Sequence, residues 1–199
     1  MKYRCYLLFG PPGSGKGTQG RVLGNIPGFC HVACGEVFRS LDLRTEVALA
    51  FIEYSRKGEL VPDKIVVELW HQHIEKMIAL SRLKPDIDHL LLDGIPRNVK
   101  QAQLLEKHLE VRKVFHLHSP NRSDLIARLR RRAIKDNRLD DASDEIIGRR
   151  LETYDKESKP VLEFYQNKGV VNVDATRYPY EVCRDILAHI DTHHEADDF

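Results

Sequence analysis

Residues Gly10 to Gln19 read Gly-Pro-Pro-Gly-Ser-Gly-Lys-Gly-Thr-Gln and follow directly on the apolar run Tyr6-Leu7-Leu8-Phe9. The apolar run predicts a buried strand, the glycines a tight loop, and the residues from Lys16 onward a helix. In such a loop glycines let backbone N–H groups turn inward, the helix N-terminus adds positive potential, and a lysine at this spacing reaches the outer phosphates. The segment therefore predicts a triphosphate cradle spanning Gly13, Ser14, Gly15, Lys16, Gly17 and Thr18. It departs in one respect from the general pattern, which sets Ser or Thr directly after the lysine as a magnesium ligand. Here Gly17 intervenes and Thr18 comes one residue later.

Around this segment the chain alternates short apolar runs with longer amphipathic ones. Tyr3 to Phe9, Cys30 to Ala33, His89 to Asp93, Lys113 to His118 and Val170 to Val173 read as five strands. Helical spacing covers Lys16 to Leu23, Thr45 to Arg56, Asp63 to Leu80, Val99 to Leu109, Ser123 to Ala133, Asp144 to Gln166 and Tyr180 to His193. Pro160 should bend or interrupt the sixth of these. Alternating β and α elements predict an α/β fold, a parallel sheet covered by helices, and 199 residues suffice for one core. The polar tail after Ile190 is expected to fray.

Composition narrows the function classes. With 31 Lys plus Arg against 30 Asp plus Glu, the net charge of +1 gives no global attraction to nucleic acid or an anionic membrane. No stretch approaches the roughly 18 apolar residues of a membrane span, and the first apolar run is too short for a signal sequence, so a cytoplasmic protein is expected. Cys5, Cys30, Cys34 and Cys183 include no Cys-x-x-Cys pair, which argues against a disulfide framework and a structural zinc site. The histidine pairs His71/His73 and His116/His118 lack supporting carboxylates and read as structural or surface residues.

The loop spelling Gly-x-Pro-Gly-x-Gly-Lys-Gly-Thr-Gln resembles that of the nucleoside monophosphate kinases, adenylate kinases above all. Further blocks of that family follow in order: Cys34 to Arg39 (CGEVFR), Gly58 to Asp63 (GELVPD), Leu90 to Ala102 (LLLDGIPRNVKQA), Arg128 to Arg132 (RLRRR), Arg138 to Asp141 (RLDD), Arg149 to Tyr154 (RRLETY) and Val171 to Arg177 (VNVDATR). The resemblance runs from residue 5 to about 190. It implies a P-loop nucleoside triphosphate hydrolase-like fold with a five-stranded parallel sheet, and reversible transfer of the γ-phosphoryl group from Mg-ATP to AMP, giving two ADP. The implied organisation is one domain over residues 1–199: a core of 1–33, 64–131 and 144–199, an acceptor-binding segment of 34–63 and a short lid of 132–143. Only five residues separate Arg132 from Arg138, which is similar to the metal-free lid of the family, so no structural zinc is implied.

Phosphoryl transfer asks a protein for alignment and charge neutralisation, and planar guanidinium groups bridge phosphate oxygens well. By resemblance, Arg132, Arg138 and Arg150 clamp phosphates, although one extra residue between Asp141 and Leu151 leaves Arg149 as an alternative to Arg150. Arg128 would lie against the donor adenine, and the backbone of Arg177 would meet the same base. Arg128 and Arg132, four apart, share a helix face, whereas Arg130 and Arg131 are expected at the surface. Asp140 and Asp141 read equally as loop carboxylates or as groups orienting the lid arginines.

Asp93 ends an apolar strand, where ligands sit in open α/β sheets. In the family it orders magnesium-bound water, and the metal arrives with ATP. Gly94, Ile95 and Pro96 then bring main chain to the acceptor, whose phosphate is gripped by Arg97 and Arg39. The acceptor base would meet Cys34, Glu59, Leu60, Val61 and Gln101; an amide can donate to a ring nitrogen and accept from an exocyclic amine, which suits adenine. Cys34 departs from the family's usual threonine. A UMP/CMP kinase is the alternative within the class, motivated by Cys34 and Asn98. From other classes come an RNA-associated P-loop ATPase, for which neither an aromatic platform nor a basic balance is visible, and a nucleotide-binding protein without turnover. ATP and AMP are the expected partners of a monomer, without nucleic acid or membrane.

Overall fold

The computed structural model describes residues 2–136, 138, 141 and 143–190. Asp140 and the tail 191–199 therefore lie outside the described residues, as do the expectations placed on them. Along β1 (Tyr3–Phe9), Cys5, Leu7 and Phe9 enter one apolar cluster and Tyr6 and Leu8 another, so both faces of the strand are buried. A strand buried on both faces suits the middle of a parallel sheet. β1 takes that place in a five-stranded sheet, among the described residues, of order β2-β3-β1-β4-β5, in which every pairing is parallel. The other strands are β2 (Phe29–Ala33), β3 (His89–Asp93), β4 (Leu109–His118) and β5 (Val170–Asp174).

Helices cover both faces. On one, Leu23 of α1 (Lys16–Leu23) and Val182 and Ile186 of α9 (Pro179–Leu187) pack on Tyr6, Leu8, Leu91 and Phe115. On the other, Trp70 and Ile74 of α4 (Asp63–Ala79), Leu105 of α5 (Val99–Leu105) and Val161 of α8 (Pro160–Phe164) join Cys5, Leu7 and Leu92. A separate cluster of Leu125, Leu129, Ile147 and Leu151 locks α6 (Arg122–Asp136) to α7 (Asp144–Thr153). At the far side, α2 (Cys34–Arg39) and α3 (Glu46–Lys57) meet through Phe38 and Phe51, stacked with centroids 4.8 Å apart. Because β3 and β4 flank β1 and their connections run to opposite sides, a crevice opens beyond the carboxyl ends of these three strands.

Three element boundaries depart from the sequence reading, each for a physical reason. The predicted helix Val99 to Leu109 stops at Leu105, and β4 begins at Leu109 instead of Lys113. Glu110, Arg112 and Lys113 obscure the apolar pattern there, but the backbone is claimed by β1: Tyr3 N–H donates to His108 O at 2.8 Å, and a bulge at Arg112 carries the register from Cys5–Val111 to Tyr6–Lys113. The helix α2 directly follows β2 and was too short to show periodicity. Finally, the long stretch Asp144 to Gln166 breaks into α7, a π-helical turn at Tyr154–Ser158 closed by Lys159 N–H to Tyr154 O at 2.9 Å, and α8. Pro160, which has no N–H to give, starts α8, where that donor would have no helical partner.

This layering has a direct energetic test. Ile74 is fully buried on α4, whereas Ile134 on α6 is 87% exposed. Ile74→Ala should lower the unfolding free energy by about 2–5 kcal/mol in urea titrations, and Ile134→Ala by less than about 0.5 kcal/mol.

Candidate active site

The carboxyl edge of the sheet opens on a cavity of about 630 Å³. Its floor is the glycine loop between β1 and α1. Gly13 has φ of +84°, and a Cβ there would stand 2.9 Å from the Leu125 carbonyl oxygen of α6, so only glycine lets the loop tuck under that helix. At the start of α1 no side chain caps the helix and no acid of its own occupies the first turn, so the positive end of its dipole faces the cavity. Lys16 Nζ donates to the carbonyls of Gly10 at 2.8 Å and Pro11 at 3.0 Å. Burial pushes its pKa down to about 8; Asp93 opposes the drop, and Arg132, Arg97 and Arg150 add to it. Ser14, Gly15, Gly17 and Thr18 line the same cavity.

Asp93 closes β3 beside Leu8 and Ala33, and its Oδ2 would lie 3.4 Å from a Cβ at Gly17, which sets it against the first turn of α1. A single carboxylate beside a helix N-terminus, with the Thr18 hydroxyl nearby in sequence, fits a magnesium ion that arrives already bound to phosphates. Among the described residues no group of three or more His, Cys, Asp or Glu side chains could hold a metal by itself. Gly94, with φ of +77°, leads into the cis Ile95–Pro96 bond and Arg97, whose Nε donates to Gly94 O at 3.0 Å. Ile95 turns into the sheet core and lines neither this cavity nor the one described next.

A second cavity of about 20 Å³ is lined by Cys34, Leu60, Val61, Arg97 and Gln101, with Phe38, Phe51, Val66 and Gly94. Glu59 and Leu60 also reach the main cavity, as do Arg39, Gly94 and Pro96. Burial pushes the Cys34 thiol up to about 11, so it stands there as a neutral, compact group. Gln101 is fully buried: Oε1 accepts from Arg97 N–H at 2.8 Å and Nε2 donates to Asp63 Oδ1 at 3.0 Å.

The arginine-rich region divides by helix face. Arg132 donates through Nε and Nη2 to Asp141 Oδ2 at 2.8 and 2.6 Å, and Arg150 bonds the other oxygen of the same carboxylate. Asp141 is buried and joins α6 to α7 through these two cations. Arg150 lines the cavity, while Arg149 faces outward in an exposed pair with Glu145. Arg138 also lines it, with Nε 3.8 Å from Asp136. Arg128 donates to Ala175 O at 2.8 Å, and Arg177, paired with Asp185, lies at the same rim.

Arg130 and Arg131 are both exposed, as expected, and Arg130 pairs with Asp144; Arg131 also borders the cavity with Arg128, Arg132 and Lys135, a placement the sequence reading missed. The spacing 128, 131, 132, 135 is one face of an α-helix, a signal available in the sequence. Tyr154, also missed, stands in the wall and lies 3.2 Å from His116 Nε2, whose Nδ1 lies 2.8 Å from Asn172 Oδ1.

A family model described as adenylate kinase matches residues 8–170. The chain belongs to the adenylate kinase family. It is 34% identical over 192 residues to an adenylate kinase of Porphyromonas gingivalis strain W83, covering 93% of this chain and 94% of that one. Similar agreement extends to adenylate kinases of Bifidobacterium longum, 34% identical with 93% and 98% covered, and of Caldanaerobacter subterraneus, 33% identical with 90% and 93% covered. An adenylate kinase family member is a phosphotransferase, and a cavity walled by cations at the end of a glycine loop is the architecture that such an activity requires.

The depressed pKa of Lys16 gives a testable sign. Without ligand its proton is lost as pH rises through about 8, whereas a bound triphosphate favours the charged form, so ATP binding near that pH must take up protons. Calorimetry at pH 8 in two buffers of different ionisation enthalpy should show uptake of roughly half a proton per ATP, and Lys16→Arg, charged throughout, should show none. In the free protein the same shift makes stability rise between about pH 8 and the lysine's usual value, because the unfolded chain then holds the extra proton.

Proposed function

We infer that the chain catalyses reversible transfer of the γ-phosphoryl group from Mg-ATP to AMP, giving two ADP and serving adenine nucleotide balance. One observation carries the reading: Lys16, Arg39, Arg97, Arg132, Arg138 and Arg150, from five separate segments of the fold, all line a single cavity beside Asp93. A site that only bound one nucleotide would need fewer cations on fewer sides. In this reading the loop 13–18 and Lys16 hold the donor phosphates, with Arg128 and Arg177 at the donor base. Arg39 and Arg97 hold the acceptor phosphate, and Arg132, Arg138 and Arg150 neutralise the equatorial charge of the group in transit. Asp93 is the residue that would hold, through water, a magnesium ion brought in with ATP, and that ion would supply further charge neutralisation at the transferring phosphates.

The organisation follows. Residues 34–63 bind the acceptor, 132–143 form a short lid, and the remainder is the core. The small cavity beside Gln101 shares Phe51, Leu60, Gly94 and Arg97 with the main cavity, and in this reading the acceptor segment closes over bound AMP, excluding water so that hydrolysis does not compete. Every clamping side chain comes from one chain, which suits a monomer, and the substrates are those of the cytoplasm. Asn98 had pointed towards a UMP/CMP kinase. It is engaged instead as the cap of α5, accepting from Gln101 N–H at 2.8 Å, and its amide donates to Asp63.

A coupled assay of ADP formation across AMP, CMP, UMP and GMP should give AMP the highest specificity constant, by about tenfold or more; equal or better turnover of CMP or UMP would refute the assignment. In the same assay Lys16→Ala should fall by at least about a hundredfold and Arg150→Ala by at least about tenfold. Arg149→Ala should stay within about twofold, because its exposed ion pair contributes little.

A further inference from the structure

We propose that Asp63 is a positioning residue for acceptor-base selectivity, fixing which way the Gln101 amide points and tying it to the Arg97 backbone. The inference rests on the reading of Gln101 as the contact to adenine and goes beyond it. An amide side chain can present either its oxygen or its nitrogen in a given direction, and the two orientations read opposite base edges. Here unambiguous partners decide. The Arg97 backbone N–H can only donate, so it faces Gln101 Oε1, at 2.8 Å. The Asp63 carboxylate accepts, so it faces Gln101 Nε2, at 3.0 Å. The neighbouring amide is fixed in the same manner: Asn98 Oδ1 accepts from Gln101 N–H at 2.8 Å, and Asn98 Nδ2 donates to Asp63 Oδ1, also at 2.8 Å.

Asp63 stands at the first position of α4 and reaches across to the first turn of α5, so one oxygen anchors both amides. Each half of the Gln101 amide has capacity for a second bond, one N–H and one lone pair, and the residue lines the small cavity. With the orientation locked, these present a donor and an acceptor in fixed order, the order adenine's ring nitrogen and exocyclic amine require and the carbonyl edge of uracil does not. Released, the amide could rotate to serve the wrong base, and the Arg97 backbone would lose its acceptor.

Both bonds use Asp63 Oδ1, while Oδ2 stands 3.9 Å from Lys100 Nζ, so the lock depends on one acceptor atom and not on charge. Asp63→Asn retains that atom; Asp63→Ala and Asp63→Ser do not place an acceptor there. Specificity constants for AMP, CMP and UMP, with KM for ATP, should be measured on wild type and all three variants. Asp63→Ala and Asp63→Ser should reduce the preference for AMP over UMP by roughly tenfold, mainly through a higher KM for AMP, with KM for ATP within about twofold; CMP, whose ring nitrogen and amine match adenine's, should follow AMP, and Asp63→Asn should keep the preference. An unchanged preference in the alanine or serine variant would overturn the proposal. So would an equal loss in Asp63→Asn, or folding of Asp63→Asn alone, which would assign the residue to charge or to fold. A wild-type enzyme with no AMP preference would refute the underlying reading, an outcome distinct from either.

Discussion

Mutual repulsion among cations is the constraint around which this structure is arranged. Lys16, Arg39, Arg97, Arg132, Arg138 and Arg150 all border one partly enclosed cavity, where like charges interact far more strongly than in open water. The fold tolerates them by giving several an internal partner: backbone carbonyls for Lys16 and Arg97, and the buried Asp141 carboxylate shared by Arg132 and Arg150. Burial is the main cause of the lowered pKa of Lys16, and Arg132, Arg97 and Arg150 add to it against the opposing pull of Asp93. Polyphosphate carries the missing negative charge, and groups already aimed at it need little reorganisation when charge shifts from one nucleotide to the other.

Holding such a site requires a rigid base and adjustable walls. The base is β1 and its glycine loop, sandwiched between two apolar clusters and backed by α6, whose Leu125 carbonyl leaves no room for a Cβ at Gly13. The walls are α2 and α3 on one side and the α6–α7 pair on the other. The α6–α7 wall has its own packing, Leu129 among Ile147 and Leu151, whereas Phe38, stacked on Phe51, continues the main sheet core into the α2–α3 wall. The Asp63–Gln101–Arg97 chain of hydrogen bonds ties the start of α4 and the first turn of α5 to the loop after β3.

Much of this was legible in the sequence because the strongest signals were local. The glycine loop, the apolar strands and the terminal position of Asp93 follow from residue types at short spacing, and β1, β3 and α1 lie where they were expected. Features set by tertiary pairing were less visible. The start of β4 is dictated by β1 across a bulge, and the end of α5 moves with it. Arg150 was already favoured over Arg149 by its place before the Leu-x-x-Tyr run, but its ion pair with Asp141 was not visible, nor was Gln101's bond to Asp63, 38 positions away along the chain. Arg131, exposed as expected, also borders the cavity, a placement that its helical spacing with Arg128 and Lys135 signals.

The central claim is that one cavity receives two nucleotides with their phosphates between the arginines and Lys16. Calorimetric titration with two adenosines joined through five phosphates, compared with AMP alone, addresses it most directly. Binding of the linked ligand at one per chain, at least about a hundredfold tighter than AMP and competitive with both ATP and AMP, is the predicted result. Equal affinities, or competition with only one of the two nucleotides, would contradict the account.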